Sequence, residues 1–149
     1  MIKKITEKDL LIWARMAATV YNDTTDEDVI EENARELLGE YRDGRFPNEY
    51  GYFLDNDLVA FISLSKRNEY VNGTESSPVG YIEGIYVDLG YRNRRIGQDL
   101  VEFAKKWSKD NGCAELASDC LLENTNSYLF HTSVGFEETE RVIYFRMKL

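Results

Sequence analysis

The sequence is poor in the residues that build disulfide frameworks and metal centres. Its 149 residues include two cysteines, Cys113 and Cys120, one histidine, His131, and two prolines. The spacing of the cysteines fits no metal or redox motif, and one histidine with two cysteines is a poor donor set for zinc. We therefore expect no metal site and two reduced thiols, as is usual in the cytoplasm.

Long hydrophobic runs and positive charge are also scarce. No segment approaches the length of a membrane span, and the N-terminal MIKKITEKDL carries no apolar signal segment, so we expect a cytoplasmic location. Asp and Glu number 27 against 18 Lys and Arg, a net charge of −9. This balance argues against a nucleic-acid-binding protein, whose surface needs a basic footprint. It favours a cationic partner, and solubility alone is the alternative explanation.

The remaining pattern predicts one α+β domain over residues 1–149, with helices covering a mixed β-sheet. No internal repeat, linker or low-complexity tract divides the chain. Strands are predicted over 1–5, 50–54, 58–65, 81–87, 114–118 and 142–148. Helices are predicted from the capping-box pattern Thr6-x-x-Asp9 through Tyr21, from a cap at Thr25 to Gly44, over 96–111 and over 124–134.

The most informative segment is 78–100, which reads PVGYIEGIYVDLGYRNRRIGQDL. An apolar strand with Glu83 in its middle leads through a turn into a basic loop that opens a helix. Backbone N–H groups at a helix N-terminus bind anions, and Arg92, Arg94 and Arg95 favour a phosphate. A carboxylate beside a bound phosphorylated ligand is suited to removing a proton from a second substrate. The alternatives are a salt-bridged glutamate and a solvated basic turn.

The element order and the loop Arg92-Asn93-Arg94-Arg95-Ile96-Gly97 resemble the GNAT (GCN5-related N-acetyltransferase) family. The phosphate loop of that family begins with Gln or Arg and carries two small residues, and Arg95 here replaces the first glycine. Further segments are similar to the bacterial aminoglycoside 6'-N-acetyltransferases: residues 69–74, 76–78, 83–85, 117–119, 123–125 and 135–140. The resemblance implies the GNAT fold, a mostly antiparallel mixed sheet that is splayed where the cofactor binds.

The resemblance implies acetyl-CoA as co-substrate. Backbone groups of Ile85, Tyr86 and Val87 would hold the pantetheine arm by strand addition, and the following loop would hold the pyrophosphate. The implied loop residues are Arg92, Asn93, Arg94, Arg95, Ile96, Gly97 and Gln98. Asn124 is a further implied cofactor contact, and a helix cap is the alternative for it.

The resemblance also implies two catalytic carboxylates, Glu83 and Asp119. Glu83 would hold the substrate ammonium and accept its proton, directly or through a water. Tyr21, Tyr70 and Glu140 would complete an acceptor pocket with them. Taken from the residues alone, Asp119 can equally be a helix cap, and Tyr70 an ordinary aromatic at the end of a strand.

His131 stands where many GNAT enzymes carry a tyrosine that protonates the leaving thiolate. The alternative is a packing residue near the end of a helix. Neither cysteine has a neighbouring histidine in the sequence, so we expect no acyl-enzyme, although proximity in space stays open.

The expected activity is transfer of an acetyl group to the 6'-amine of an aminoglycoside in a ternary complex, with antibiotic resistance as its outcome. The backbone N–H of Val87 would polarise the thioester carbonyl. Two alternatives stay open: acetylation of another amine, such as a polyamine or a protein N-terminus, and a non-catalytic CoA-binding module. The apolar final strand at 142–148 is an edge that we expect to pair with a second copy in a homodimer.

Overall fold

Helices and strands follow one another in the order that the sequence periodicity predicts, except at the C-terminus. A computed structural model describes residues 1–149. Its strands are β1 (Ile2–Lys4), β2 (Glu49–Leu54), β3 (Asp57–Arg67), β4 (Val79–Val87) and β5 (Leu116–Ala117). Its helices are α1 (Leu10–Tyr21), α2 (Glu27–Arg42), α3 (Ile96–Asp110) and α4 (Thr125–Ser133).

The five strands form one sheet in the order β1-β2-β3-β4-β5. The first four are antiparallel neighbours, and β5 runs parallel to β4. Asp55 and Asn56 make the β2–β3 turn with φ of 49° and 72°, the left-handed backbone that a tight hairpin requires. The sheet is therefore mixed and mostly antiparallel, as expected.

Helices cover both faces of the sheet, and each face has its own apolar core. On one face α1 and α2 pack on the strands through Trp13, Ile30 and Phe61. On the other face α3 packs through Ile96 and Leu100. Helices α1, α2 and α3 carry their apolar residues at three- and four-residue spacing. Each therefore has one apolar stripe, and burial of that stripe in the core explains why the helix packs there. No helix here has both the length and the apolar character to cross a bilayer.

Two helix starts show how local hydrogen bonds fix the chain. The Thr6 backbone N–H and hydroxyl both donate to the Asp9 carboxylate, at 3.0 Å and 2.9 Å, so the predicted capping pair is confirmed. The expected cap of α2 at Thr25 is wrong by one residue. Asp26 accepts from the backbone N–H groups of Asp28 and Val29 instead, because its carboxylate offers a stronger acceptor to the positive helix end.

The predicted final strand at 142–148 is wrong for the single chain. Residues 137–149 contain no helix or strand, and no backbone hydrogen bond joins them to the rest of the chain. Their apolar side chains are exposed, with 90% of Phe145 and 81% of Ile143 accessible to solvent. An alternating apolar pattern makes a strand only where it pairs with another strand, and no strand pairs with this segment here.

Candidate active site

Strands β4 and β5 separate immediately after they meet, which opens a slot in the sheet. Their only paired positions are Gly80 with Leu116 and Tyr81 with Ala117. From Ile82 to Val87, β4 keeps its pairing with β3 but has no strand on its other side. Backbone groups along this edge, including those of Ile85 and the N–H of Val87, have no strand to pair with and can bond to an extended ligand. The predicted β5 over 114–118 is shorter than expected for the same reason.

The loop after β4 has the backbone shape of an anion cradle despite its missing glycine. Asn93 and Arg95 adopt left-handed φ angles of 62° and 66°, and Arg95 directly precedes the first turn of α3. Glycine is the usual residue for this conformation. Arg95 thus occupies the glycine conformation and adds a positive charge at the N-terminus of a 15-residue helix. The backbone N–H groups of this loop remain suited to a phosphate.

The three loop arginines do not play one common part. The Arg92 Nε donates to the Val87 carbonyl at 2.8 Å, and its guanidinium lies 5.4 Å from the Tyr86 ring. Arg94 lies over Tyr91 at 5.3 Å. Arg92 therefore ties the loop to the end of β4, which holds the loop backbone next to the slot.

Glu83 lies at a bulge in β4, on the edge of the slot. The register pairs Ser63 with Gly84 and Leu64 with Ile82, so Glu83 is the extra residue without a cross-strand partner. Its side chain is 33% exposed. The continuous apolar run of β4 suggests a strand that is covered on both faces, but that cover ends at Glu83, which is exposed. Residues 84–87 are half-buried, because nothing fills the slot beside them.

A network of polar side chains holds the Glu83 carboxylate. The Arg67 guanidinium binds it in a bidentate manner: Nε donates to Oε1 at 2.9 Å and Nη2 donates to Oε2 at 2.7 Å. The Ser65 hydroxyl donates to Oε1 at 2.7 Å. This two-pronged geometry fixes the plane of the carboxylate. Both oxygens therefore already accept hydrogen bonds, and a cationic ligand on Glu83 would share the carboxylate with Arg67 or displace it.

Arg67 also links the two predicted catalytic carboxylates. Its guanidinium lies 3.4 Å from the centroid of the Tyr81 ring, and the Tyr81 hydroxyl donates to Asp119. Burial, followed by the hydrogen bond to Asp119, raises the pKa of Tyr81, so the phenol stays a donor at neutral pH. Asp119 is held by this bond and does not cap a helix, since Asn124 is the cap of α4.

A cavity of about 550 Å³ opens beside Glu83 between the sheet and the α1–α2 pair. Its polar lining includes Tyr21, Glu40, Arg45, Glu49 and Ser65. Tyr21 packs edge-on against Phe61 with ring centroids 6.4 Å apart. It lies so near Gly84 that a Cβ there would come within 2.6 Å of its ring. The mixture of carboxylates, hydroxyls and the two aromatic rings of Tyr21 and Phe46 suits a polar, cationic ligand.

The other predicted acceptor residues lie on a second group of loops. Tyr70 is 74% exposed and makes no hydrogen bond through its hydroxyl. The Asn72 Nδ2 donates to Glu140 at 3.1 Å, and Gly73 lies directly under Thr139. Contacts between these two loops hold Glu140 against the loop that follows β3.

Asn124 and His131 both have structural partners. The Asn124 Oδ1 accepts from the Ser127 backbone N–H at 3.0 Å and so caps α4, while its amide nitrogen is unbonded. The His131 Nδ1 lies 2.7 Å from the Ser127 carbonyl and its Nε2 lies 2.8 Å from the Ser118 hydroxyl. Since a carbonyl only accepts, Nδ1 carries the proton and Nε2 accepts from Ser118. This arrangement favours the packing interpretation of His131 over that of an acid.

Three residues of the site were missed by sequence reasoning: Ser65, Arg67 and Glu49. Ser63, Ser65 and Arg67 alternate along β3, and residues two apart on a strand share a face. That spacing was the available signal for the Glu83 partners. No sequence signal placed Glu49 in the site, because Glu49 precedes the predicted start of its strand. No group of three or more His, Cys, Asp or Glu residues is placed to hold a metal.

An open strand edge, an anion cradle at its end and a carboxylate at its bulge are the features of an acyl-CoA-dependent transferase. The chain matches the acetyltransferase (GNAT) family over residues 11–136. The chain therefore belongs to the GNAT acetyltransferase family, and its sheet and helices form the GNAT fold.

The similar proteins narrow this class. Over 152 aligned residues the chain is 38% identical to an aminoglycoside N(6')-acetyltransferase type 1 from Stenotrophomonas maltophilia, covering 99% of this chain and 93% of the relative. The apo crystal structure of aminoglycoside antibiotic 6'-N-acetyltransferase AAC(6')-IG from Acinetobacter haemolyticus superposes with a TM-score of 0.84 at 34% identity, covering 100% and 99%. AAC(6')-Iy bound to a bisubstrate analogue, CoA-S-monomethyl-acetylneamine, gives a TM-score of 0.78 at 31% identity, covering 100% and 98%.

Proposed function

We propose that this protein transfers the acetyl group of acetyl-CoA to the 6'-amine of aminoglycosides. One observation carries the proposal: the Glu83 carboxylate lines a polar cavity on one side, while the strand it belongs to leads directly into the anion cradle on the other. Relatives that carry this activity in their names match the chain over its whole length. Acetylation removes a positive charge from the drug, so antibiotic resistance is the expected outcome.

In this proposal Glu83, with Asp119 nearby, receives the substrate ammonium and accepts its proton. The ammonium would take the place of the Arg67 guanidinium on one Glu83 oxygen, and a loss of one proton leaves a neutral amine. The amine lone pair forms a bond to the thioester carbon, the C–S bond breaks to release the CoA thiolate, and the thiolate takes up the proton that the nitrogen loses as it becomes an amide. The Val87 N–H would polarise the carbonyl oxygen in the slot.

The remaining predicted residues divide between the two ligands. Tyr21, Tyr70 and Glu140 would surround the aminoglycoside. Ile85 and Tyr86 would present backbone groups to the pantetheine arm, and the loop from Arg92 to Gln98 would hold the pyrophosphate, with Asn124 close to it. A cytoplasmic location, where acetyl-CoA is made and used, agrees with the two free cysteines.

The test is an acetyl-transfer assay with kanamycin and tobramycin, each compared with spermidine and with a peptide N-terminus. We expect release of free CoA thiol with the aminoglycosides only, and a product that is heavier by one acetyl group at the 6'-amine. Turnover with spermidine or the peptide alone would point to a different amine. CoA binding without turnover of any amine would leave a CoA-binding module.

We also propose that the protein is a homodimer formed through its C-terminal segment, residues 142–149. This segment is apolar, exposed and without a backbone partner, and an unpaired edge of this kind favours pairing with a second copy. Deletion of residues 142–149 is expected to convert a dimer into a monomer in light scattering. A monomeric full-length chain at micromolar concentration would refute the proposal.

A further inference from the structure

Glu49 is a buried carboxylate that the proposed mechanism does not use. It begins β2 under the α1–α2 pair and is 3% exposed. Its Oε2 accepts from the Trp13 indole N–H at 2.8 Å, and its Oε1 accepts from the Ser63 hydroxyl. Both donors are neutral. None of the seven ion pairs in the structure includes Glu49, so the protein supplies no cation to it.

Glu49 faces the same cavity as Glu83, and few positive groups face it there. Glu49 and Glu83 both line the 550 Å³ space. The ionisable groups around Glu49 are Tyr21 on α1, Glu40 and Tyr41 on α2, Arg45 after α2, and Glu83 on β4. Arg45 is the one cation among them, and its side chain makes no hydrogen bond to Glu49.

Two carboxylates that line one cavity oppose each other's ionisation. The cost falls when a cation enters the cavity, because its field favours the charged form of both acids. Glu83 already has a cation, Arg67, and the Ser65 hydroxyl as partners, whereas Glu49 has only neutral donors. Glu49 is then the group whose charge depends on what occupies the cavity.

We propose that Glu49 is a charge-regulating residue of the acceptor site, which holds a proton in the free protein and releases it when a cationic acceptor enters. The O–H bond of the Glu49 acid breaks, its electron pair stays on the carboxylate, and the proton passes to bulk water. The arriving ammonium charge balances the new negative charge. The cavity thus becomes more acidic only when a polycation is inside it, which favours polyamino sugars over singly charged amines.

The titration behaviour of the free protein agrees with this geometry. Burial is the main cause that raises the pKa of Glu49, to about 7, and Glu83 adds to it, while the hydrogen bonds from Ser63 and Trp13 act in the opposite direction. Burial and the proximity of Glu49 also raise the pKa of Tyr21. Near neutral pH Glu49 is therefore poised between its two forms.

The inference rests on the proposed function. Isothermal titration calorimetry distinguishes a failure of the Glu49 proposal from a failure of the proposed function. Kanamycin is titrated into the CoA-saturated protein in two buffers of different ionisation enthalpy, which gives the number of protons exchanged on binding. The same measurement on Glu49→Gln removes the Glu49 contribution and keeps the amide within reach of Trp13 and Ser63. The wild-type protein should release more protons than the variant at pH 6 and at pH 7, and the difference should fall toward zero as the pH rises well above 7.

A second variant keeps the test decisive if Glu49→Gln folds poorly. Ser63→Ala removes one of the two hydrogen bonds that favour the Glu49 carboxylate, so its proton release should extend to higher pH than in the wild-type protein. Equal proton numbers in the wild-type protein and Glu49→Gln, or an unchanged pH dependence in Ser63→Ala, would overturn the inference alone. No binding of any aminoglycoside would overturn the proposed function and this inference with it.

Discussion

Replacement of Glu83 by glutamine tests whether this carboxylate accepts the substrate proton. Glutamine has nearly the same shape but is not basic, so a general-base contribution of about 100- to 10,000-fold in kcat should be lost. This loss corresponds to roughly 3–5 kcal/mol of transition-state stabilisation. The expected change is in kcat, because proton removal from the bound amine belongs to the chemical step.

The folded structure should tolerate this change. The pair between Arg67 and Glu83 has side-chain exposures of 41% and 33%, so solvent screens it and its loss should cost about 1 kcal/mol or less. One glutamine oxygen can still accept from Arg67 and Ser65. Total stabilities of about 5–15 kcal/mol exceed this cost, so unfolding cannot account for an inactive variant.

Glu40→Gln is the matched control. Glu40 lines the same cavity and makes no side-chain ion pair. Its removal should weaken the attraction of a cation by about 0.5–1 kcal/mol and raise KM two- to fivefold, with kcat unchanged. The assay follows CoA thiol release with kanamycin, and the Kd for CoA should be the same in both variants and the wild-type protein.

Two results would refute the assignment of proton removal to Glu83. The first is a Glu83→Gln variant with kcat within threefold of the wild-type value. The second is an equal loss in both variants, which would mean that the cavity acts only through its total charge.

Three further changes have defined outcomes. Gly97→Ala would place a Cβ 2.7 Å from the Phe130 ring and should raise the Kd for CoA. Gly39→Ala has open space around the new Cβ and should leave that Kd unchanged while raising the free energy of unfolding by up to about 1 kcal/mol. An equal Kd for CoA in the two variants would contradict this prediction. Arg95→Gly should relieve the left-handed backbone by about 1 kcal/mol and still weaken CoA binding through the lost charge, as urea unfolding and CoA titration would show. The pKa of Glu49 is about 7 in the folded protein against its ordinary value of 4.5, so its protonation stabilises the fold fully below pH 4.5, and this contribution is lost as the pH rises to about 7. Between pH 5 and pH 8 the free energy of unfolding in urea should fall by on the order of 2–3 kcal/mol more for the wild-type protein than for Glu49→Gln.

Regular periodicity allowed most of the fold to be predicted. The amphipathic stripes of α1 and α3 and the Asp55-Asn56 turn between two apolar runs determine their elements locally, through burial of one face and the backbone that a tight turn needs. Element ends were less predictable. Strand β3 continues to Arg67, beyond its predicted end, because pairing with β4 holds two charged residues in the strand that their own preferences would not.

The C-terminal segment shows where a local pattern is insufficient. Its alternation of apolar residues predicts a strand, yet the single chain leaves it exposed. A helix can satisfy its own hydrogen bonds, whereas a strand needs a neighbour, and the presence of a neighbour is a property of the whole assembly. Residues 142–149 could therefore be predicted as strand-forming, but their partner could not.

The bulge at Glu83 explains why the site itself was only partly predictable. In an unbroken strand Glu83 would share the face of Ile85, and Ile85 packs into the apolar core under α3. The extra residue between the pairs Ser63–Gly84 and Leu64–Ile82 reverses the alternation. Glu83 then joins the opposite face, where Ser65 and the α1–α2 cavity lie. Bulges of this kind re-aim side chains next to active sites. A bulge is a feature of the register between two strands. A glutamate at position 83 therefore indicated an acid–base group, but only the pairing of β4 with β3 determined which face of the sheet its carboxylate lies on.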